Sequence, residues 1–583
     1  MNNKNIKLLA KASILLGLNE MESAKIIYQK IIKQIPANLE VINNLGIIEA
    51  HLGNIESAKK LFERSLLINN NQPNTYSNLG NIYLELNENQ KAIIFYEKSI
   101  ELDPNSCITY FNRGRALSSS EQFDQAVFSY KKSLKIDPSY LLSHFNLGFT
   151  LNRIGKYKEA IQSYNNALSL NPNFVQALYN KGISQENLHD YVGAIKNYEQ
   201  ALKIDDELPI VLVKMGETLS RLKKYGEAFS AYNKAIKINY FYTDAFLNRG
   251  ALYEYFDDYE KSSHDYKRVI EIDNLNSEAK VNLALLNFKF NKFEEGMPLY
   301  ENRFSNQPYL KTNKPELANI DCQDQTVFVW SEQGIGDQIF YLGTLKKIVN
   351  LFKFIIVSTD YRLVPILQES YSNHSNIKFI SSQDILDEST YDSHIPMASI
   401  GKFFLKRKAD INFYSVPFLK SNKFKGKQIK RELNNNNKII CGISWKSKNE
   451  KCGFNRSMEL EKLLPIFNLP NFIFVNLQYG DCIEEINSLK KKYGIEIKNF
   501  PSINNFNNLY DFTSLVDACN VVVTVDNSTV HFSGALNKKT FLFVPFGIGG
   551  HWYWGHDQTQ SIWYPSIQII KQKELEDWTN PVI

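Results

Sequence analysis

The stretch NLGFTLNRIGKYKEAIQSYNNALSLNP, Asn146 to Pro172, decides the fold of the first half of the chain. In it Gly148 stands sixteen residues before Tyr164, Ala160 four residues before that tyrosine, and Pro172 closes the segment. A step of 34 residues in either direction finds the same pattern. The glycines are Gly46, Gly80, Gly114, Gly148, Gly182, Gly216 and Gly250. The aromatic column is Tyr28, Phe62, Tyr96, Tyr130, Tyr164, Tyr198, Tyr232, Tyr266 and Tyr300. Four residues ahead of it run Ala24, Ala58, Ala92, Ala126, Ala160, Ala194, Ala228, Ser262 and Gly296. Ala12 and Ala284 extend the glycine column, and Pro36, Pro104, Pro138 and Pro172 close individual units.

Small residues at fixed offsets mark places where two helices touch, and one aromatic per period fills the gap between them. This pattern resembles the tetratricopeptide repeat, a helix–turn–helix unit stacked into a superhelix. Nine units are expected over residues 1–305, with atypical first and last members. Two positions before each glycine stand Asn44, Asn78, Asn112, Asn146, Asn180, Lys214, Asn248 and Asn282. Two residues are about 200° of helix rotation, so this column faces away from the glycine contact. A ladder of amides along the inner surface would suit the backbone of an extended peptide. The array resembles the repeat region of O-GlcNAc transferases in this respect. Asn is also common at this position in such repeats generally, where it serves contacts between helices.

A chain of 583 residues needs several cores. Its 67 basic and 62 acidic residues nearly balance at +5 and form no basic track, which excludes a nucleic-acid partner. The six cysteines, Cys107, Cys322, Cys441, Cys452, Cys482 and Cys519, show no zinc spacing and suit free thiols in a reducing cytoplasm. No stretch reaches the ~20 apolar residues of a membrane span, and the apolar residues at the N-terminus keep the repeat register instead of forming a signal peptide.

The period stops after Arg303. A linker, 306–321, leads into apolar runs alternating with amphipathic stretches: Thr326–Trp330, Phe354–Ser358 and Ile377–Ile380, then Ile439–Trp445, Phe472–Leu477, Val521–Val525 and Phe541–Val544. Such alternation predicts parallel α/β sheets. Two halves are expected, 322–425 and 438–583, with a polar hinge over 426–437 and a ligand cleft between the carboxyl ends of their strands. The predicted class is therefore an α superhelix followed by two small Rossmann-like halves.

Two loops carry candidate chemistry. Ser331-Glu332-Gln333-Gly334-Ile335-Gly336-Asp337 follows the first strand and opens a helix. Its glycines permit close approach to the backbone. Asp337 is placed to act as a general base on a hydroxyl or to cap the helix. Asp526-Asn527-Ser528-Thr529-Val530-His531 follows an apolar strand and also opens a helix. Ser528 and Thr529 can cap it, its free N–H groups suit a diphosphate, and Asp526 can steady the loop or accept a ribose hydroxyl. His531 can donate to a phosphate or stay structural.

Asp526 to Leu536 resembles a "D-T/S-x-x-x-H-x-A-G-A-L" segment of the ADP-heptose:lipopolysaccharide heptosyltransferase family, glycosyltransferase family nine, in its tetratricopeptide-fused members. Glu332 to Asp337 resembles that family's "E-Q-G-L-G-D" loop, Gly442 to Lys446 with Arg456-Ser457 its donor-side strand, Asn476 to Gly480 its "x-L-Q-x-G", and Trp552 to Pro565 its aromatic closing segment. The five segments stand in the family's order over about 260 residues. The resemblance implies a GT-B-like, metal-independent and inverting transferase. It places Asp337 as base, Glu332, Gly334 and Gly336 in the acceptor loop, and Lys446, Arg456, Gln478, Asp526, Ser528, Thr529 and His531 around the donor. Lys448 competes with Lys446 for its role. No metal and no cofactor beyond a nucleotide-sugar co-substrate is implied. The expected function is transfer of a sugar to an acceptor hydroxyl, with a protein or peptide acceptor held by the repeats. The alternatives are a non-catalytic repeat scaffold with a degenerate transferase domain, and a transferase acting on a glycan or lipid-linked acceptor.

Overall fold

Each 34-residue period becomes two antiparallel helices, as in Leu141–Arg153 with Tyr157–Leu170. The structure is a computed structural model that describes the chain apart from residues 1–2, 307–309, 321, 416, 434–437, 448–452, 548–549, 574–577 and 579–583. The chain forms two units, Met1–Tyr242 and Thr243–Ile583. Among the described residues the first holds seven helix pairs, from Asn3–Gly17 with Met21–Gln34 to Pro209–Arg221 with Tyr225–Ile238.

The glycine column exists because of the aromatic column. A Cβ on Gly80 would stand 2.5 Å from Cε1 of Tyr96, and one on Gly182 2.4 Å from Cε1 of Tyr198. The rings therefore press directly on helix backbone, and Ala24 through Ala228 are fully buried beside them. A third column is nearly invisible in the sequence. Asn19, Gly53, Asn87, Glu121, Gly155, His189, Lys223, Asp257 and Asn291 all have left-handed backbone angles, again 34 residues apart. Each ends the first helix of its pair. Gly155 N–H bonds to the Asn152 carbonyl at 3.0 Å and Lys156 N–H reaches back to Leu151 at 2.9 Å, the wrap that ties off a helix through a left-handed residue. Glycine fills two of the nine positions and Asn or Asp four more, residues that tolerate this geometry, while Glu121, His189 and Lys223 adopt it at the same place in their pairs.

The second unit begins with two more pairs, Thr243–Tyr255 with Tyr259–Ile272 and Ser277–Lys289 with Phe293–Tyr300. Two sheets of parallel strands follow. β1 (Thr326–Trp330), β2 (Phe354–Thr359), β3 (Ile377–Ser381) and β4 (Ser393–Pro396) lie in the order β3-β2-β1-β4. β5 (Ile439–Ser444), β6 (Phe472–Asn476), β7 (Ile497–Lys498), β8 (Val521–Val525), β9 (Lys539–Val544) and β10 (Ile567–Lys571) lie in the order β10-β9-β8-β5-β6-β7. The central strands are buried along nearly their whole length, which is why they read as continuous apolar runs. The polar stretch expected to be a hinge starts inside a helix, Lys423–Leu433, which packs on Leu509–Ala518 and buries Ile429 and Leu433 four residues apart. That spacing puts both on one helix face, a period hidden by the surrounding lysines. The remainder, 434–437, lies outside the described residues.

One apolar cluster joins the last repeat to the sheets and to the aromatic segment near the C-terminus. Phe288 meets Trp552 at 4.8 Å between ring centroids, Phe293 meets Trp563 at 5.6 Å, and Phe340 stacks on Tyr553 at 4.6 Å. The final repeats are thus packed into the α/β body.

Candidate functional site

In parallel sheets, ligands gather at the carboxyl ends where the strand order reverses. Here those points are the end of β1, between β2 and β4, and the ends of β5 and β8. A cavity of about 370 Å³ lies there, lined by Gly334, Gly336, Asp337, Arg362, Arg456, Asp526, Ser528, His531, His551 and Tyr553 among others. A larger hollow of about 830 Å³ lies against the β5–β10 sheet, but its lining is apolar apart from Lys438, Lys539 and Asn520, so it offers no comparable chemistry.

After β1 the chain turns into the helix Ile335–Leu342. Gly334 caps it and no side chain does, so Asp337 is not spent on capping. Its Oδ1 accepts from the Tyr553 hydroxyl at 3.4 Å. Burial pushes the Asp337 carboxyl up, with Asp526 adding to the shift and His551 and Arg456 opposing it. A carboxylate held above its usual range and facing a cavity is suited to accept a proton. Gly336 lets the loop pack closely on the second half: a Cβ there would lie 3.1 Å from Cδ2 of His531. Glu332 points elsewhere. Its oxygens accept from Arg303 Nη2 at 2.8 and 3.0 Å and from the Ala398 N–H at 3.2 Å, which ties the loop to the segment just past the last repeat.

After β5 and β8 the chain is braced by amides. Gln478 Oε1 accepts from the Trp445 and Lys446 N–H groups at 2.9 and 2.8 Å, and its side chain is buried. Gln478 therefore shapes the strand end and does not line the cavity. Lys446 Nζ pairs with Glu485 at 2.7 Å and is likewise absent from the lining. Lys448 lies outside the described residues. The helix Ser528–Ala535 is capped by Asn527, not by Ser528 or Thr529: Asn527 Oδ1 accepts from the Thr529 N–H at 2.9 Å, while its Nδ2 donates to Ser444 Oγ at 2.8 Å. Ser528 lines the cavity, and Thr529 is fully buried behind it.

Two carboxylates and two histidines organise the interior. Asp526 is fully buried, and its oxygens accept from the His551 N–H at 3.0 Å and from His551 Nδ1 at 2.9 Å. Complete burial would raise its pKa, but His551 and Arg456 beside it outweigh that and hold it far below the carboxylate range. His531 is pulled down to about 3, by burial first and then by its neighbours His551 and Arg456. It is a neutral ring at ordinary pH, with Nε2 at 3.2 Å from the Tyr553 hydroxyl and Nδ1 at 3.3 Å from that of Tyr564. Asp337, Tyr553 and His531 thus form one chain of hydrogen bonds. His551, Tyr553 and Arg362 were not among the sequence candidates. The first two adjoin or belong to the aromatic closing segment, and Arg362 sits in a loop with no motif of its own.

The asparagine column does not present one uniform row. Asn44 donates to the Tyr28 hydroxyl at 2.9 Å and Asn112 to Asn81 at 3.0 Å. Asn146, Asn180 and Asn248 each turn one amide hydrogen onto the carbonyl four residues back, at 2.9, 2.8 and 2.9 Å. Asn78 lines a hollow of about 390 Å³ with His51, Phe62 and Glu85, and Asn282 is half-buried. Among the described residues no helix is long and apolar enough to cross a membrane. Cys107, Cys322, Cys441, Cys482 and Cys519 are free thiols, and Cys452 lies outside the described residues.

Tetratricopeptide repeat models match segments between residues 37 and 241. Residues 37–105, 95–128, 129–162, 175–207 and 211–241 match tetratricopeptide repeat models, and 150–188 matches a TPR repeat model. The chain carries tetratricopeptide repeats. Protein FlbA of Caulobacter vibrioides is 24% identical over 310 residues, covering 49% of this chain and 50% of FlbA, so the chain spans about half the length of that curated relative. Among solved structures, YrrB, described as a TPR protein with an unusual peptide-binding site, is 24% identical with a TM-score of 0.28, covering 32% of this chain and 95% of YrrB. The C-terminal part of a TPR repeat-containing protein from Cytophaga hutchinsonii is 18% identical with a TM-score of 0.36, covering 40% of this chain and 96% of that one.

Proposed function

We propose that the chain is a glycosyltransferase of GT-B type that moves a sugar from a nucleotide-sugar to an acceptor hydroxyl. In this reading the tetratricopeptide repeats hold a protein or peptide acceptor. The observation that carries it is the meeting, in one cavity at the carboxyl ends of two parallel sheets, of a carboxylate with raised proton affinity, Asp337, and the cationic side chains Arg362 and Arg456.

Each part has a chemical task. Asp337 takes the proton of the acceptor hydroxyl as it attacks the anomeric carbon. The departing nucleoside diphosphate gains negative charge as the sugar bond breaks, and Arg456, Arg362 and the positive end of the Ser528–Ala535 helix lower the cost of that charge. Arg456 is nine-tenths buried, so its charge acts with little screening by water. Inversion follows if acceptor and leaving group occupy opposite sides of the sugar. No metal enters this scheme.

A repeat scaffold without turnover is the competing reading, and it draws support from the tetratricopeptide matches within residues 37–241. The two separate on one experiment. The purified chain is titrated with ADP-, UDP-, GDP- and TDP-sugars, following melting temperature and sugar release. A transferase gives a thermal shift and slow hydrolysis with at least one donor. Silence across the panel leaves the scaffold.

A further inference from the structure

We infer that His551 is a positioning residue that holds the Arg456 guanidinium on the diphosphate of the bound nucleotide, an inference that rests on the transferase reading. Arg456 Nη1 stands 2.9 Å from His551 Nε2. A guanidinium can only donate, so Nε2 accepts, and the ring proton lies on Nδ1, which Asp526 receives at 2.9 Å. Asp526 Oδ2 also sits 3.8 Å from Arg456 Nε and accepts from the His551 backbone. Carboxylate, imidazole and guanidinium therefore form a closed triangle, and two of its sides pass through His551.

The ring is fixed on two further counts. Tyr553 stacks on it at 4.7 Å with planes 15° apart. The next residue, Trp552, is locked against Phe288 of the last repeat and Phe340 beside the Asp337 helix, at 4.8 and 5.5 Å. A histidine needed only for packing would not require both nitrogens to be matched to charged partners. Here Asp526 orients the ring and the ring orients Arg456, so the guanidinium faces the cavity in one rotamer before any anion arrives.

Inorganic pyrophosphate and ADP, UDP and GDP serve as probes in calorimetric titrations of the full chain. His551→Ala is expected to weaken pyrophosphate about tenfold, in line with the loss of one aligned charged contact. In an Arg456→Ala background the same change is expected to cost nothing further, because a residue that acts through Arg456 has nothing left to position. His551→Gln, whose amide offers one donor and one acceptor, is expected to recover most of the affinity and keeps the test open if His551→Ala misfolds. Equal losses with and without Arg456, or no loss at all, overturn the inference while leaving nucleotide binding intact. A wild-type chain that binds none of the probes overturns it together with the transferase reading.

Discussion

The Tyr553 hydroxyl lies 3.4 Å from Oδ1 of Asp337, although 216 residues separate the two in the chain. The same oxygen is 3.2 Å from His531 Nε2. The side chain proposed as the base is thus oriented by a residue from the closing segment. Because this hydrogen bond goes to the carboxylate, it works against the burial that raises the proton affinity of Asp337.

Tyr553→Phe removes that donor and leaves the ring stacked on Phe340. Asp337 then holds its proton to still higher pH. The acidic limb of the pH–rate profile is expected to move upward, with a several-fold loss of rate on the acid side and little change at high pH. Steady-state rates across pH with any accepted donor measure it, and an unmoved limb would falsify the assignment of Asp337 as the titrating base.

Asp337→Asn separates chemistry from stability. Its folded-state affinity for a proton is raised, so the native chain binds more protons than the unfolded one. The ionised form therefore costs stability as pH rises through the folded-state pKa. The amide is expected to raise the melting temperature at pH 7.5, with the gain shrinking towards pH 4. Turnover is expected to fall roughly 10²–10⁴-fold, the usual contribution of a general base. Melting curves at both pH values and a rate assay check the two halves independently.

The repeats make a contrast between two glycines. Gly182→Ala drives a methyl group to 2.4 Å from the Tyr198 ring and is expected to destabilise by about 1–3 kcal/mol, the usual cost of overpacking. Gly226→Ala meets nothing within 4 Å in the helix Tyr225–Ile238 and is expected to stabilise by about 0.5 kcal/mol. Urea unfolding followed by circular dichroism of residues 1–242 compares them, and similar effects at both sites would contradict the packing account.

Arg303 and Glu332 are a buried pair, with side chains 6% and 5% exposed. Arg303→Ala leaves the Glu332 carboxylate buried without its charged partner and is expected to cost about 3–5 kcal/mol. All six tryptophans lie between Trp330 and Trp578, so their fluorescence reports the second unit alone. A shift in the urea midpoint of that signal is expected, and an unchanged midpoint would show that the pair is solvated in solution.

The repeat was legible because its chemistry is local and periodic. Glycine, alanine and tyrosine recur at fixed offsets, and each contact joins residues sixteen or so apart. The left-handed column at Asn19 to Asn291 carries no single-residue signature, because seven of its nine members are not glycine. The helix Lys423–Leu433 has a weak pattern, because only Ile429 and Leu433 mark its buried face within a run of charges.

The sequence alone determined that the chain pairs a 34-residue helical repeat with an α/β body of parallel strands, and it picked out the loops at Asp337 and Asp526. Periodicity and apolar runs are properties of neighbouring residues, so they survive without coordinates. Only the tertiary structure decided which side chains meet. It set Glu332 on Arg303, Lys446 on Glu485 and Gln478 against the strand end. It brought His551, Tyr553 and Arg362 to the cavity beside Asp337 and Asp526. Those meetings join residues up to 216 positions apart across two sheets, and they depend on strand order and close packing, which no local pattern encodes.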